Sequence, residues 1–197
     1  MRPHCKNWVS VCQRLQSSSC YCILLALKYM DVHFQGSLDG LCSVYAVLNS
    51  TTLLAPQLDA ALMFTSVICH IGEKLLSIML EGMSTSELRR LALAPCIRFC
   101  AKHGVKLRYA ICRRGISLAQ YWQTIQDHCA QHGPGSIILG ISGACDHWTC
   151  VSNVTEKTIM LADSQAMRRL YRRNVTIDHS PGKYSLRPSD TFLMTIS

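Results

Sequence analysis

The feature that most constrains this chain is a change of hydrophobic period near Gly104. Before it, apolar residues recur at helical spacing; after it, they alternate or run continuously, as strands require. Residues 41–54 are apolar nearly all round, which reads as a central, buried helix. Pro56 opens a second helical stretch carrying Leu58, Leu62, Val67 and Ile71. Ser84-Thr85-Ser86-Glu87 has the capping-box pattern S-x-x-E and starts a third helix, interrupted or ended near Pro95 and closed by Gly104.

Beyond Gly104, residues 105–112 read as a strand, 118–132 as an amphipathic helix stopped by Gly133-Pro134, and 136–142 as a buried strand. Residues 147–154 and 158–162 form a hairpin around Thr155-Glu156-Lys157, and 191–196 make a final strand. Helices first and antiparallel strands second describe an α+β domain, a helical layer with a buried central helix packed on an antiparallel sheet.

A chain of 197 residues that is 49% hydrophobic and only 16% charged can bury a core and is no candidate for disorder. Its longest apolar runs, Tyr21 to Leu27 and Ile137 to Ile141, are far shorter than a membrane-spanning helix needs, so no span is expected. The apolar patch 20–27 arrives late and lacks a small-residue cleavage site, so no signal peptide is read. The expected location is the cytoplasm, or export as an effector without a readable signal. With no repeat or linker in view, the one boundary falls between a basic N-terminal extension, 1–31, and a domain spanning 32–197.

Twelve cysteines sit among apolar residues rather than at framework spacings, which suits small hydrophobes in a reducing compartment. Cys145-x-His147-x-x-Cys150 is dense in metal-ligand types, yet no C-x-x-C pair accompanies it, and neither metal nor cofactor is expected. The net charge of +8 is uneven: residues 1–30 contribute +4, 31–100 contribute −2 and 101–197 contribute +6. The C-terminal excess concentrates in Arg168, Arg169, Arg172 and Arg173 around Tyr171, a surface suited to an acidic partner. No nucleic-acid module signature accompanies it, so nucleic acid is not expected.

Three segments carry chemistry. In Gln35-Gly36-Ser37-Leu38-Asp39-Gly40-Leu41-Cys42 a glycine-punctuated loop runs into the buried helix, placing Cys42 in its first turn, where free backbone N–H groups and the helix dipole favour a thiolate. Asp146-His147-Trp148-Thr149 puts an imidazole at the start of a strand, and Leu161-Ala162-Asp163-Ser164 puts a carboxylate at the end of the next. Counted back from Glu156, His147 and Asp163 lie nine and seven residues out on paired strands, nearly opposite each other. A carboxylate so placed can orient the imidazole while the imidazole deprotonates Cys42. Gln35 is positioned to offer its amide to a developing oxyanion, with the backbone N–H of Cys42 as second donor.

At these residues the sequence resembles the papain-like cysteine peptidases, in which a Gln-Gly-Ser loop leads to the nucleophilic Cys at the start of the central helix. Gln35-Gly36-Ser37, Cys42, Tyr45-Ala46, His147-Trp148 and Asp163-Ser164 carry the resemblance. It is most like the compact bacterial branch akin to the double-glycine leader peptidase domains of bacteriocin exporters. The resemblance implies a papain-like fold and a Cys42–His147–Asp163 triad that hydrolyses a peptide or isopeptide bond of a protein or peptide through a thioester. Glutamine deamidation or acyl transfer would use the same residues, and a catalytically silent papain-like binding module is the alternative from another class.

Two other patterns are set aside. Asn49-Ser50-Thr51 fits a glycosylation sequon but lies in the expected buried helix. His128 and His132 share a helical face without a third ligand nearby, which suits a solvent face better than a metal.

Overall fold

Helix α1 (Cys42–Leu54) is apolar on nearly every side, and in the computed structural model it is buried accordingly, with Val44 and Val47 fully enclosed. Residues 32–34, 40–178 and 182–197 are described, so the expected extension 1–31 and Gln35 lie outside the described residues. Asp59 caps helix α2 (Ala60–Ile71) by accepting from the N–H groups of Ala61 and Leu62. The second helix therefore begins at Ala60, and Pro56 belongs to the turn before it.

A single 3₁₀ turn, Gly72–Lys74, leads into helix α3 (Leu75–Glu81), which the sequence reading did not foresee. By length and composition Ala60–Glu81 is apolar enough to cross a membrane, the one such segment among the described residues. In the fold it turns at Gly72, whose φ of 55° glycine tolerates, and sends Met63, Val67, Ile71 and Ile78 into the core. Leu62, Leu76 and Leu80 stay exposed.

The Ser84–Glu87 capping box forms as expected and opens helix α4 (Thr85–Glu87). The helix is not interrupted at Pro95: a π-helical stretch, Leu88–Leu93, carries it into helix α5 (Ala94–Lys102), with Pro95 in the first turn. The wider π turn closes with Ala94 N–H donating to the Arg89 carbonyl, so the missing proline N–H leaves the helix intact.

The rest of the chain is the sheet and one helix. The strands are β1 (Leu107–Ile111), β2 (Ile137–Gly143), β3 (His147–Val154), β4 (Thr158–Ala162), β5 (Arg169–Tyr171), β6 (Val175–Thr176) and β7 (Tyr184–Ile196). Helix α6 (Leu118–His132) lies between β1 and β2 in the chain and starts with a capping box of its own, Ser117 with Gln120. The order across the sheet is β1-β7-β2-β3-β4-β5, antiparallel throughout, and short β6 adds the one parallel pairing, to β7. The last strand is longer than its apolar run predicts because Tyr184, Ser185 and Leu186 also pair with the end of β2, beyond an irregularity in the ladder.

Alternation along β2 sorts the core into two layers. Ile138 joins the cluster built on α1, α2 and α5, whereas Ile137, Leu139 and Ile141 join Tyr121, Trp122 and Ile125 of α6. The result is an α+β domain in which the sheet has a helical layer containing buried α1 against one face and α6 against the other.

Candidate active site

Cys42 is the first residue of α1, and no side chain among the described residues caps that end of the helix. Its first-turn N–H groups lack intrahelical partners and carry the positive end of the dipole, a setting that favours negative charge on sulfur or on a bound oxyanion. Gly40, two residues earlier, pins the incoming loop: its N–H donates to the Met79 carbonyl at 2.9 Å. A Cβ there would sit 2.7 Å from that same oxygen, so only glycine permits the approach.

His147 opens β3, and Asp163 follows the last residue of β4. The ladder pairs Cys150 with Ala162, so continuing that register sets Asp163 across from Thr149, with His147 two residues further along. Alternation puts all three side chains on one side of the ladder, and the His147 Nε2–H donates to Asp163 Oδ1 at 2.5 Å. The offset of two residues is the one the hairpin count predicts. A bulge between Val151 and Asn153 lies within the same hairpin.

The other carboxylate oxygen of Asp163 accepts the backbone N–H groups of Gln165 and Met167, each at 2.9 Å. These bonds close a tight turn in which Ala166 adopts a φ of 64°. Burial, the largest single influence, works to raise the Asp163 pKa, but the hydrogen bond and charge of His147 and the Met167 N–H bond act together against it, and the net shift is downward. The Thr149 hydroxyl also acts to lower it; that hydroxyl makes no hydrogen bond of good geometry, so its influence is that of a nearby dipole. For His147, burial works to lower the pKa, but the Asp163 hydrogen bond and charge and the neighbouring Cys42 together lift it above the ordinary value, to about 9.

The imidazole therefore stands between two groups: Asp163, bonded at Nε2, and the Cys42 thiol, which is near enough to act on its pKa. With Nε2 committed to the carboxylate, Nδ1 is the nitrogen left to exchange a proton with sulfur. Cys42 and His147 open onto a cleft of about 260 Å³. Its opposite rim is the segment 81–85, held by two long-range bonds: Trp148 Nε1–H to the Met83 carbonyl at 2.9 Å and Thr85 Oγ1–H to Asp190 Oδ1 at 2.7 Å. Asp146 is exposed on the rim of the same cleft.

Of the residues singled out in sequence, Cys42, His147 and Asp163 are brought together, while Gln35 lies outside the described residues. Asn49 of the set-aside sequon is buried: its Oδ1 accepts from His33 N–H, and its Nδ2 donates to the carbonyls of His33 and Ala162. His128 does not face solvent fully; its Nε2 lies 3.0 Å from the Met194 carbonyl, and its ring packs on His132. The basic run straddles β5, with Arg169 and Arg173 both over the Tyr171 ring and Arg172 over Trp122.

Sequence reasoning missed Thr149 and Asn49 as neighbours of the site. The first was legible as the i+2 residue on the histidine's own strand face; the second had no local signal, since its partners are 16 and 113 residues away. No protein-family model matches this chain, and no curated protein matches it.

Proposed function

We propose that this chain is a papain-like thiol hydrolase that cleaves a peptide or isopeptide bond, with Cys42 as nucleophile, His147 as base and then acid, and Asp163 as the residue orienting the imidazole. The observation that carries the reading is the convergence of a thiol at a helix N-terminus and a histidine beside it, both opening onto one cleft, with a buried carboxylate bonded to the histidine's Nε2. The elevated pKa of His147 favours a protonated ring at neutral pH, which supplies the proton the leaving group needs.

In this mechanism the Cys42 sulfur attacks the substrate carbonyl carbon and the electron pair moves to oxygen. The backbone N–H of Cys42 and the side chain of Gln35 are assigned to receive that oxyanion. His147 Nδ1–H then protonates the leaving amine as the C–N bond breaks, leaving a thioester. A water deprotonated at the same nitrogen attacks the thioester, and the thiolate departs with the acid product formed. Asp163 holds its charge throughout and fixes which nitrogen faces sulfur.

The test is covalent labelling with an electrophilic peptide probe followed by intact-mass measurement, then a screen of peptide substrates. A Cys42→Ser chain that still forms the adduct would overturn the assignment. A target split in two supports hydrolysis, whereas one that gains about one dalton without cleavage is a deamidation product of the same thioester chemistry.

A further inference from the structure

Helices α2 and α5 face each other across a second cleft of about 150 Å³ that shares no lining residue with the cleft of Cys42. Ser66 and His70 line it from α2, Arg98 and Lys102 from α5, each pair four residues apart and so on one helix face. Pro95 and Phe99 form an apolar, buried floor. Arg98 Nη2 lies 3.5 Å from His70 Nδ1, so the guanidinium's recorded side-chain contact is a histidine ring and not a carboxylate. Among the described residues the one ion pair is His147 with Asp163, so neither Arg98 nor Lys102 is neutralised by an acidic neighbour.

Like charges at i, i+4 on an exposed helix repel each other, and here they flank a notch with no protein anion in it. We propose that this cleft binds a phosphoryl group. With Arg98 donating to His70 Nδ1, the neutral ring carries its proton on Nε2, so guanidinium, ammonium, imidazole N–H and the Ser66 hydroxyl supply donors from both walls. Donors from two opposed helices match a tetrahedral oxyanion better than a planar carboxylate, whose two oxygens a single arginine can satisfy. The volume holds about five water-sized groups, enough for one phosphoryl group and a water.

The phosphoryl group has two possible sources, a soluble phosphate or a lipid headgroup. The second is raised by Leu62, which is 57% exposed and lies four residues before Ser66 on the same stripe of α2. The site is independent of the thiol chemistry, and its test needs no substrate.

The full chain is titrated calorimetrically with inorganic phosphate in chloride buffer, beside R98Q/K102Q and a control, R169Q/R173Q, in the other basic patch. Saturable binding that weakens tenfold or more in R98Q/K102Q and is unchanged in the control is expected. Thermal midpoints measured without phosphate establish that the variants are folded. Cosedimentation with phosphatidylcholine vesicles, with and without phosphatidylglycerol, separates the sources. Pelleting that requires the anionic lipid and Arg98/Lys102 assigns the headgroup, and phosphate binding without pelleting assigns the soluble anion. Absence of both responses, or binding retained in R98Q/K102Q, overturns the proposal.

Discussion

The side-chain amide of Asn49 donates to the carbonyl of Ala162, the residue immediately before Asp163. One buried side chain thus ties the helix that begins at Cys42 to the end of the strand that presents the carboxylate, while its oxygen and second N–H bind the backbone of His33. Replacing it with alanine leaves the buried Ala162 carbonyl and the two half-buried backbone groups of His33 without their partner, at a cost of about 2–3 kcal/mol. Urea denaturation of Asn49→Ala should show that loss. A midpoint within error of wild type would mean the tie contributes nothing.

Cys42 is expected to be the most reactive of the described cysteines. Cys150 and Cys96 are fully buried and burial acts to raise their pKa, whereas Cys42 combines a helix N-terminus, a histidine partner and an opening to the cleft. Limited iodoacetamide treatment at about pH 6, read by peptide mapping, should modify Cys42 first. Earlier modification of any other thiol would point to a different nucleophile.

Asp163→Asn keeps the shape of the side chain but supplies a donor toward Nε2, favouring the wrong tautomer at Nδ1. Turnover of any identified substrate should fall by roughly 10²- to 10⁴-fold. Asp146→Asn changes an exposed rim residue adjacent to the histidine in sequence, whereas the imidazole's carboxylate partner is Asp163, so it should retain most activity. A dead Asp146→Asn beside an active Asp163→Asn would refute the triad.

The His147–Asp163 pair should make stability depend on pH from both sides. The raised histidine stabilises fully below its unfolded pKa of about 6.5, and that contribution is lost as pH rises through its folded value of about 9. The lowered aspartate contributes above the ordinary carboxylate range, and its share is lost as pH falls through its depressed value. The stability gap between wild type and His147→Gln should therefore be widest at about pH 5–6, on the order of 2 kcal/mol, and narrow toward pH 10. A gap that is flat with pH would show that the pair is not charged.

Gly40→Ala forces a methyl group against the Met79 carbonyl and must displace either the α3 end or the loop entering α1. A stability loss of about 1–3 kcal/mol is expected, together with slower labelling of Cys42. Unchanged labelling would show that the loop does not position the thiol.

Much of this molecule follows from local signals. The buried helix at 42–54, both capping boxes, helix 118–132 with its Gly133 stop and the 147–162 hairpin are all written in short stretches of sequence. The two-residue offset between His147 and Asp163 agrees with a count from Glu156, yet the turn register alone, Val154 with Ile159, would set Asp163 across from Cys150; the bulge between Val151 and Asn153, which the sequence does not announce, moves it to Thr149.

What sequence could not supply is whatever depends on residues far apart in the chain. The π turn that carries a helix past Pro95, the helix at 75–81, the pairing that lengthens β7 and the bonds of Asn49 all answer to neighbours brought in by folding. The approach of Cys42 to His147 belongs to the same class. Two residues 105 positions apart meet because α1 packs across β3, and that packing is decided by the shape and burial of the whole core, to which no local period is sensitive.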